Sequence, residues 1–225
     1  MTLTRRSTLT IAGGAVAVGV LGYLGWRRFT PTPAPLFPTQ PMAPTAMTPA
    51  GDQRMAERTL GDPSAKVTVL EFMSLTCTHC ASFARETMPD VEKDLIGPGK
   101  VRFVYHDFPL DQVALTAAMV ARYLPPAQYY PFVSALFANQ DRWAFSRQAN
   151  PTEEMWKIAA LAGMQRATFD AAVADTALKD WIIAQQTADQ KKYGINATPT
   201  FAINGKVTSG AISYEDFAKL VSEAS

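Results

Sequence analysis

Val67-Thr68-Val69-Leu70-Glu71-Phe72-Met73 leads through a short turn into Cys77-Thr78-His79-Cys80, and a segment with helical spacing, Ala81 to Ile96, follows. Cys77 and Cys80 are the only cysteines in 225 residues. An apolar strand, a sharp Cys-x-x-Cys turn and a helix together make a reactive dithiol. The first cysteine falls at the helix N-terminus, where unpaired backbone N–H groups and the positive end of the helix dipole stabilise a thiolate. The thiolate is the attacking species in disulfide exchange. Cys80 lies under the first turn, placed to close a disulfide or expel a bound partner. His79, between them, adds positive charge beside the thiolate when protonated. Thr78 adds a hydroxyl and little charge. Such a thiol leaves easily, so its disulfide is a good oxidant.

Two plainer readings compete. Structural zinc takes four ligands, and the chain offers only His79 and His106 beyond the cysteines. His79 lies inside the loop and cannot readily bend onto the same metal, so no metal site is expected. A purely structural disulfide closing so short a loop removes little chain entropy and explains the spacing poorly.

Composition sets the frame. The length suits one domain with appendages, the 48% apolar content is ordinary for a globular chain, and two cysteines do not make a disulfide-stapled scaffold. A net charge of +1, with no long charge run, gives no reason to expect nucleic acid as a partner.

Residues 1–28 read as an export signal or an N-terminal membrane anchor. Arg5 and Arg6 precede an uncharged run, residues 7–26, and Thr4-Arg5-Arg6-Ser7-Thr8-Leu9 resembles a twin-arginine export signal, with Thr8 at the usual aromatic position. At about 1.5 Å per residue the run is long enough to cross a bilayer. No small-x-small cleavage site follows; Arg27 and Arg28 come next, which favours an uncleaved tether over a removed signal. Either reading places the dithiol outside the cytoplasm, where disulfides persist. Residues 29–58 carry seven prolines, from Pro31 to Pro49, and read as a semi-rigid linker. Its Met42, Met47 and Met55 are soft metal ligands in principle, but scattered methionines are more often incidental.

Residues 59–225 read as the folded domain. Leu60 to Ala65 is a turn-rich start. On the strand Val67–Met73 both faces are largely apolar, as in a central strand covered on both sides. Glu71 is the exception. Buried there, it would have a raised pKa and serve as a proton relay to Cys80; the other reading is a carboxylate at a wet strand end. Val101 to Phe108 is a second strand, with His106 as a polar residue near its end. Helical patterns follow at Asp111 to Leu124, Tyr130 to Ala138, Asn150 to Ala162, Thr168 to Val173 and Leu178 to Tyr193, forming a helical insertion over about 110–190. Thr200 to Ile203, Asn204-Gly205 and Lys206 to Thr208 read as a hairpin, and Tyr214 to Ala224 as a terminal helix. Pro199 opens the hairpin strand; spacing alone favours a trans Thr198–Pro199 bond.

From Leu60 onward the chain resembles the DsbA family of thiol–disulfide oxidoreductases, α/β proteins with a thioredoxin-like fold and a helical insertion domain. Val69-Leu70-Glu71-Phe72-Met73-Ser74 before Cys77-Thr78-His79-Cys80, and Ala197-Thr198-Pro199-Thr200-Phe201 before Asn204-Gly205-Lys206, carry the likeness. The resemblance implies that Cys77 attacks, that Cys80 resolves, that Thr198–Pro199 is cis and contacts substrate, and that Glu71 is buried. Two positions depart from the pattern: the family's commonest dipeptide is Pro-His, where this chain has Thr78-His79, and Thr198 before the proline is also common in isomerases. The expected function is introduction of disulfide bonds into exported proteins, in a periplasmic or other extracytoplasmic setting at the inner membrane. No cofactor is implied; a membrane redox partner would reoxidise the dithiol. Alternatives are a disulfide reductase or isomerase, and a copper carrier using Cys77, Cys80 and the linker methionines.

Overall fold

The computed structural model describes residues 52–225. The expected export segment or anchor and most of the linker lie outside the described residues; among those described, no helix is long and apolar enough to cross a membrane. Five strands form one mixed sheet: β1 (Arg58–Leu60), β2 (Val67–Met73), β3 (Val101–Asp107), β4 (Thr200–Ile203) and β5 (Lys206–Ser209), in the spatial order β1-β3-β2-β4-β5. Only β2 and β3 pair in parallel, with Val67 opposite Val101 and Glu71 opposite Tyr105; the other pairs are antiparallel. A parallel pair needs a crossover. The helical run from 78 to 96, α1, supplies it.

α1 is not uniform. It is α-helical over Thr78–Ser82 and Met88–Val91 and π-helical over Phe83–Thr87 and Glu92–Ile96. Pro89 follows the first π segment. Its ring would meet a carbonyl four residues back in an α-helix, and the wider π turn gives it room.

The helical insertion runs between β3 and β4 as α2 (Gln112–Arg122), α3 (Pro126–Ala138), α4 (Gln140–Trp143), α5 (Pro151–Leu161), α6 (Arg166–Ala174) and α7 (Thr176–Tyr193); α8 (Tyr214–Glu223) ends the fold. Asp111, Asn150, Asp175 and Ser213 cap α2, α5, α7 and α8 with side-chain oxygens on backbone N–H groups. α3 begins before Tyr130, its expected start: Pro126 occupies the first turn, where its missing N–H costs nothing, and Pro131 lies on the exposed face.

Each sheet face buries its own cluster. On one, Phe103 and Phe201 meet Phe83 of α1 and Phe217 of α8 at centroid distances of 4.6–6.4 Å. On the other, Phe72 packs with Phe108, Ile195, Ala202, Leu70 and Tyr193. The double covering expected for β2 is therefore present.

The fold starts earlier than the sequence indicates. Gln53–Met55 forms a 3₁₀ turn, and Arg58 is 1% exposed, so residues 52–58, read above as linker, pack against the domain. Arg122 holds them. Its guanidinium donates to the carbonyls of Arg54 (3.0 Å) and Ala56 (3.1 Å), pairs with Asp107 at the end of β3, and lies 4.6 Å from the centre of the Trp181 ring. The Tyr129 hydroxyl donates to the second Asp107 oxygen at 2.9 Å. Asp107→Ala leaves a buried guanidinium and a buried phenol without their partner. It should destabilise the domain by about 3–5 kcal/mol, seen as a lower urea midpoint.

Candidate active site

The strand β2 ends at Met73, and four residues turn the chain into α1. Cys77 N–H donates to Ser74 O at 3.0 Å, closing the turn, and Ala81 N–H donates to Cys77 O at 3.1 Å, starting the helix. Cys77 is the N-cap, extended at φ −81° and ψ 121°, and its sulfur accepts from Cys80 N–H at 3.5 Å. A sulfur thus stands where a capping oxygen normally would.

The two cysteines, both free thiols, differ sharply. Cys77 is 8% exposed and Cys80 fully buried. The Cys77 pKa is lowered to about 5, first by the Cys80 thiol hydrogen bond, against an opposing cost of burial, then by the Thr198 hydroxyl and the backbone N–H groups of Cys80 and His79. Burial pushes the Cys80 thiol well above its ordinary value; its bond to Cys77 and the charge of Glu71 push the same way. His79 is solvent-exposed and reaches the Cys77 sulfur through its main-chain N–H, where the sequence suggested its ring.

Glu71 is 3% exposed, which settles the strand-end question in favour of burial. Its carboxyl pKa is raised to about 8, chiefly by desolvation and then by the negative charge on Cys77. Tyr105, its register partner on β3, is also buried, and its hydroxyl has no hydrogen-bond partner among the described residues. His106 is turned away from this site. It bonds Asp189 of α7 at 2.7 Å and lies 5.0 Å from Phe72, on the opposite sheet face.

Thr198 and Pro199 arrive from the other side of the dithiol. Their peptide bond is cis, as the family resemblance implies and spacing alone does not. The Cys77 thiol donates to the Thr198 carbonyl at 3.2 Å. The Thr198 hydroxyl is buried and has no hydrogen-bond partner among the described residues; it faces the Cys77 sulfur, whose pKa it lowers. Pro199 O accepts from Gly210 N at 2.8 Å, anchoring the loop to the hairpin.

The structure adds one residue the sequence gave no reason to single out. Gln140, first residue of α4 and 4% exposed, donates its side-chain amide to Leu75 O at 2.8 Å and Cys77 O at 3.1 Å. A glutamine in a polar-looking stretch, more than sixty residues away, carries no local signal of this contact. Met55, one of the candidate soft ligands, lies in a pocket with Val104, His106 and Trp181 that includes neither cysteine. Among the described residues no group of three or more His, Cys, Asp or Glu side chains is arranged to hold a metal.

The arrangement can therefore run thiol–disulfide exchange: one accessible sulfur held as an anion, one buried sulfur held as a thiol, and a buried acid beneath them. The chain is similar to known proteins. A family model described as thioredoxin matches residues 53–223. A Rickettsia prowazekii protein named as a protein-disulfide oxidoreductase is 27% identical over 166 residues, covering 73% of this chain and 60% of that protein, so the chain spans about three fifths of that relative's length. Disulfide bond formation protein D of Bacillus subtilis is 27% identical, covering 72% of this chain and 74% of the relative. The crystal structure of a variant of Wolbachia pipientis alpha-DsbA1 superposes with a TM-score of 0.70 at 30% identity, covering 75% of this chain and 90% of that one. With a thioredoxin-like sheet, an inserted helical block and a helix-capping dithiol, the chain belongs to the thioredoxin family, among its DsbA-type thiol–disulfide oxidoreductases.

Proposed function

We propose that this protein works as a dithiol oxidase, introducing disulfides into reduced exported proteins outside the cytoplasm. The observation that carries this reading is the contrast between the two cysteines: a Cys77 thiolate stabilised to a pKa of about 5 above a Cys80 thiol raised by burial. Whatever stabilises the thiolate stabilises the reduced site, which makes the disulfide eager to accept electrons.

In the proposed cycle the site begins as the Cys77–Cys80 disulfide. A substrate thiolate attacks the Cys77 sulfur. The S–S bond breaks, its electron pair goes to Cys80, and Glu71 supplies the proton that keeps Cys80 neutral. A second substrate thiolate then attacks the substrate sulfur of the mixed disulfide. Cys77 leaves as a thiolate, and the substrate departs oxidised. Thr198 and Pro199 line the approach, where an extended substrate segment would pair with the Thr198 backbone by strand addition. Reoxidation passes both electrons to a membrane redox partner, and residues 7–26 would tether the domain near it.

The direction of electron flow is read from the reduction potential. A value near about −120 mV fits an oxidase, and one near about −270 mV overturns that direction in favour of a reductase. Cys77→Ser should abolish oxidation of a reduced model protein; retained activity would sink the scheme.

Thiolate absorbance near 240 nm should titrate with a midpoint near 5 in the reduced protein. Because the folded pKa lies below the ordinary thiol value of 9.0, this group's stabilisation of the reduced fold is complete above pH 9 and disappears as pH falls through about 5. Thr198→Val keeps the shape and removes one donor, and should raise the midpoint by roughly half to one unit.

Glu71 works only while protonated, so its contribution should fade as pH rises through about 8. Glu71→Gln should slow turnover about a hundredfold at pH 7 and remove that limb of the profile. An unchanged profile would exclude the proton-transfer role.

A further inference from the structure

We propose that Gln140 is a positioning residue of the redox site, its side-chain amide locking the 75–77 turn so that the Cys77 sulfur stays over the His79 and Cys80 N–H groups. The proposal rests on Cys77 being the attacking thiol. It begins from a contact between distant parts of the chain. Gln140 belongs to the helical insertion, yet both of its amide hydrogens go to the turn before α1, at 2.8 and 3.1 Å. The side chain is nine-tenths buried or more, so water does not compete for those hydrogens.

The orientation of the amide follows from its partners. Both are carbonyl oxygens, and the flipped amide would set its own oxygen against them. Among the described residues Leu75 O receives no backbone hydrogen bond, and Gln140 is its donor. Cys77 O already accepts from Ala81 N–H and takes the second amide hydrogen as well. These bonds hold the Leu75–Thr76 and Cys77–Thr78 peptide planes, one before and one after the Thr76–Cys77 plane. Rotating either plane carries the Cys77 sulfur away from the helix N-terminus.

The two redox states depend on that placement differently. A thiolate gains from every aligned N–H group. A disulfide sulfur carries no charge and gains little. A residue that holds the alignment therefore favours the dithiol form without touching the reacting atoms. Gln140 is neutral, so it acts through geometry and adds no net charge of its own.

Gln140→Met has a similar length, fills the space with apolar atoms and donates nothing. Two quantities would be read on the full chain: the 240 nm thiolate titration of the reduced form, and the equilibrium with glutathione. The expected result is a titration midpoint about one unit higher. The equilibrium should shift about tenfold toward the disulfide, equivalent to about 30 mV. Cooperative thermal unfolding would show that the variant is folded. A folded variant that matches the parent in both quantities overturns the proposal. Should the variant not fold, the parent protein supplies the answer by nuclear magnetic resonance. The Gln140 side-chain amide hydrogens should exchange slowly and shift with pH at the Cys77 midpoint; fast exchange, or no shift through that midpoint, overturns it. Retained oxidation by Cys77→Ser would instead strike the cycle itself and would leave the titration comparison readable.

Discussion

A thiolate in a nearly buried position exists only if donors are already in place when the proton leaves. Cys77 meets that condition by capping a helix with sulfur. The backbone N–H groups of the first turn have no intrahelical acceptor. The sulfur is their partner. The Cys80 thiol and the Thr198 hydroxyl complete the set, one from beneath and one from the loop before β4. None of these donors is a full positive charge. Neutral dipoles held rigidly can nonetheless move a pKa by several units when solvent is largely excluded.

The same burial that sharpens those dipoles sets the states of the two groups below. Glu71 and Cys80 are both buried; burial first and then the charge on Cys77 oppose ionisation of Glu71, and burial, the bond to Cys77 and the charge of Glu71 oppose ionisation of Cys80. Both anions cannot coexist there cheaply, so the pair holds its protons as a coupled unit. Tyr105 stands on the neighbouring strand in register with Glu71, its hydroxyl unpaired, and its own ionisation is opposed first by burial and then by Glu71. Three weak acids kept neutral beneath one anion form a gradient from the accessible sulfur inward. Negative charge is most stable at the outermost position, where the proposed cycle has substrate attack.

What the sequence disclosed, and what it withheld, follows the range of the interactions involved. β2, the dithiol turn and α1 are local: an apolar run, a four-residue motif and a helical period are visible within a short window. The hairpin of β4 and β5 is equally local, because Asn204-Gly205 has a backbone preference that specifies the turn. β1 was missed because three residues of edge strand have no period to read, and Arg58 looks like a surface residue until Arg122 folds over it. The first π segment of α1 was invisible because only the ring of Pro89 against its own helix calls for it. Burial of Glu71 was left open by the residues and was suggested only by family resemblance. The main-chain N–H of His79 gave no sequence signal of its own, since position between the cysteines suggests only the ring.

Gln140 and Arg122 show why the helical insertion is more than a cover. Both are buried polar residues of the insertion, and both meet the chain at the C-terminal ends of the parallel pair, Arg122 at Asp107 on β3 and Gln140 at the turn leaving β2. In open α/β sheets the C-terminal ends of parallel strands are where loops converge and sites form. Those loops have no ladder of their own to hold them. A reactive turn placed there must borrow its rigidity from elsewhere, and hydrogen bonds from a separate helical block are a directional way to lend it. Apolar packing would fix the distance of the insertion from the sheet but not the tilt of a single peptide plane. A two-pronged amide fixes the tilt, and at this turn tilt decides whether the N–H groups point at sulfur.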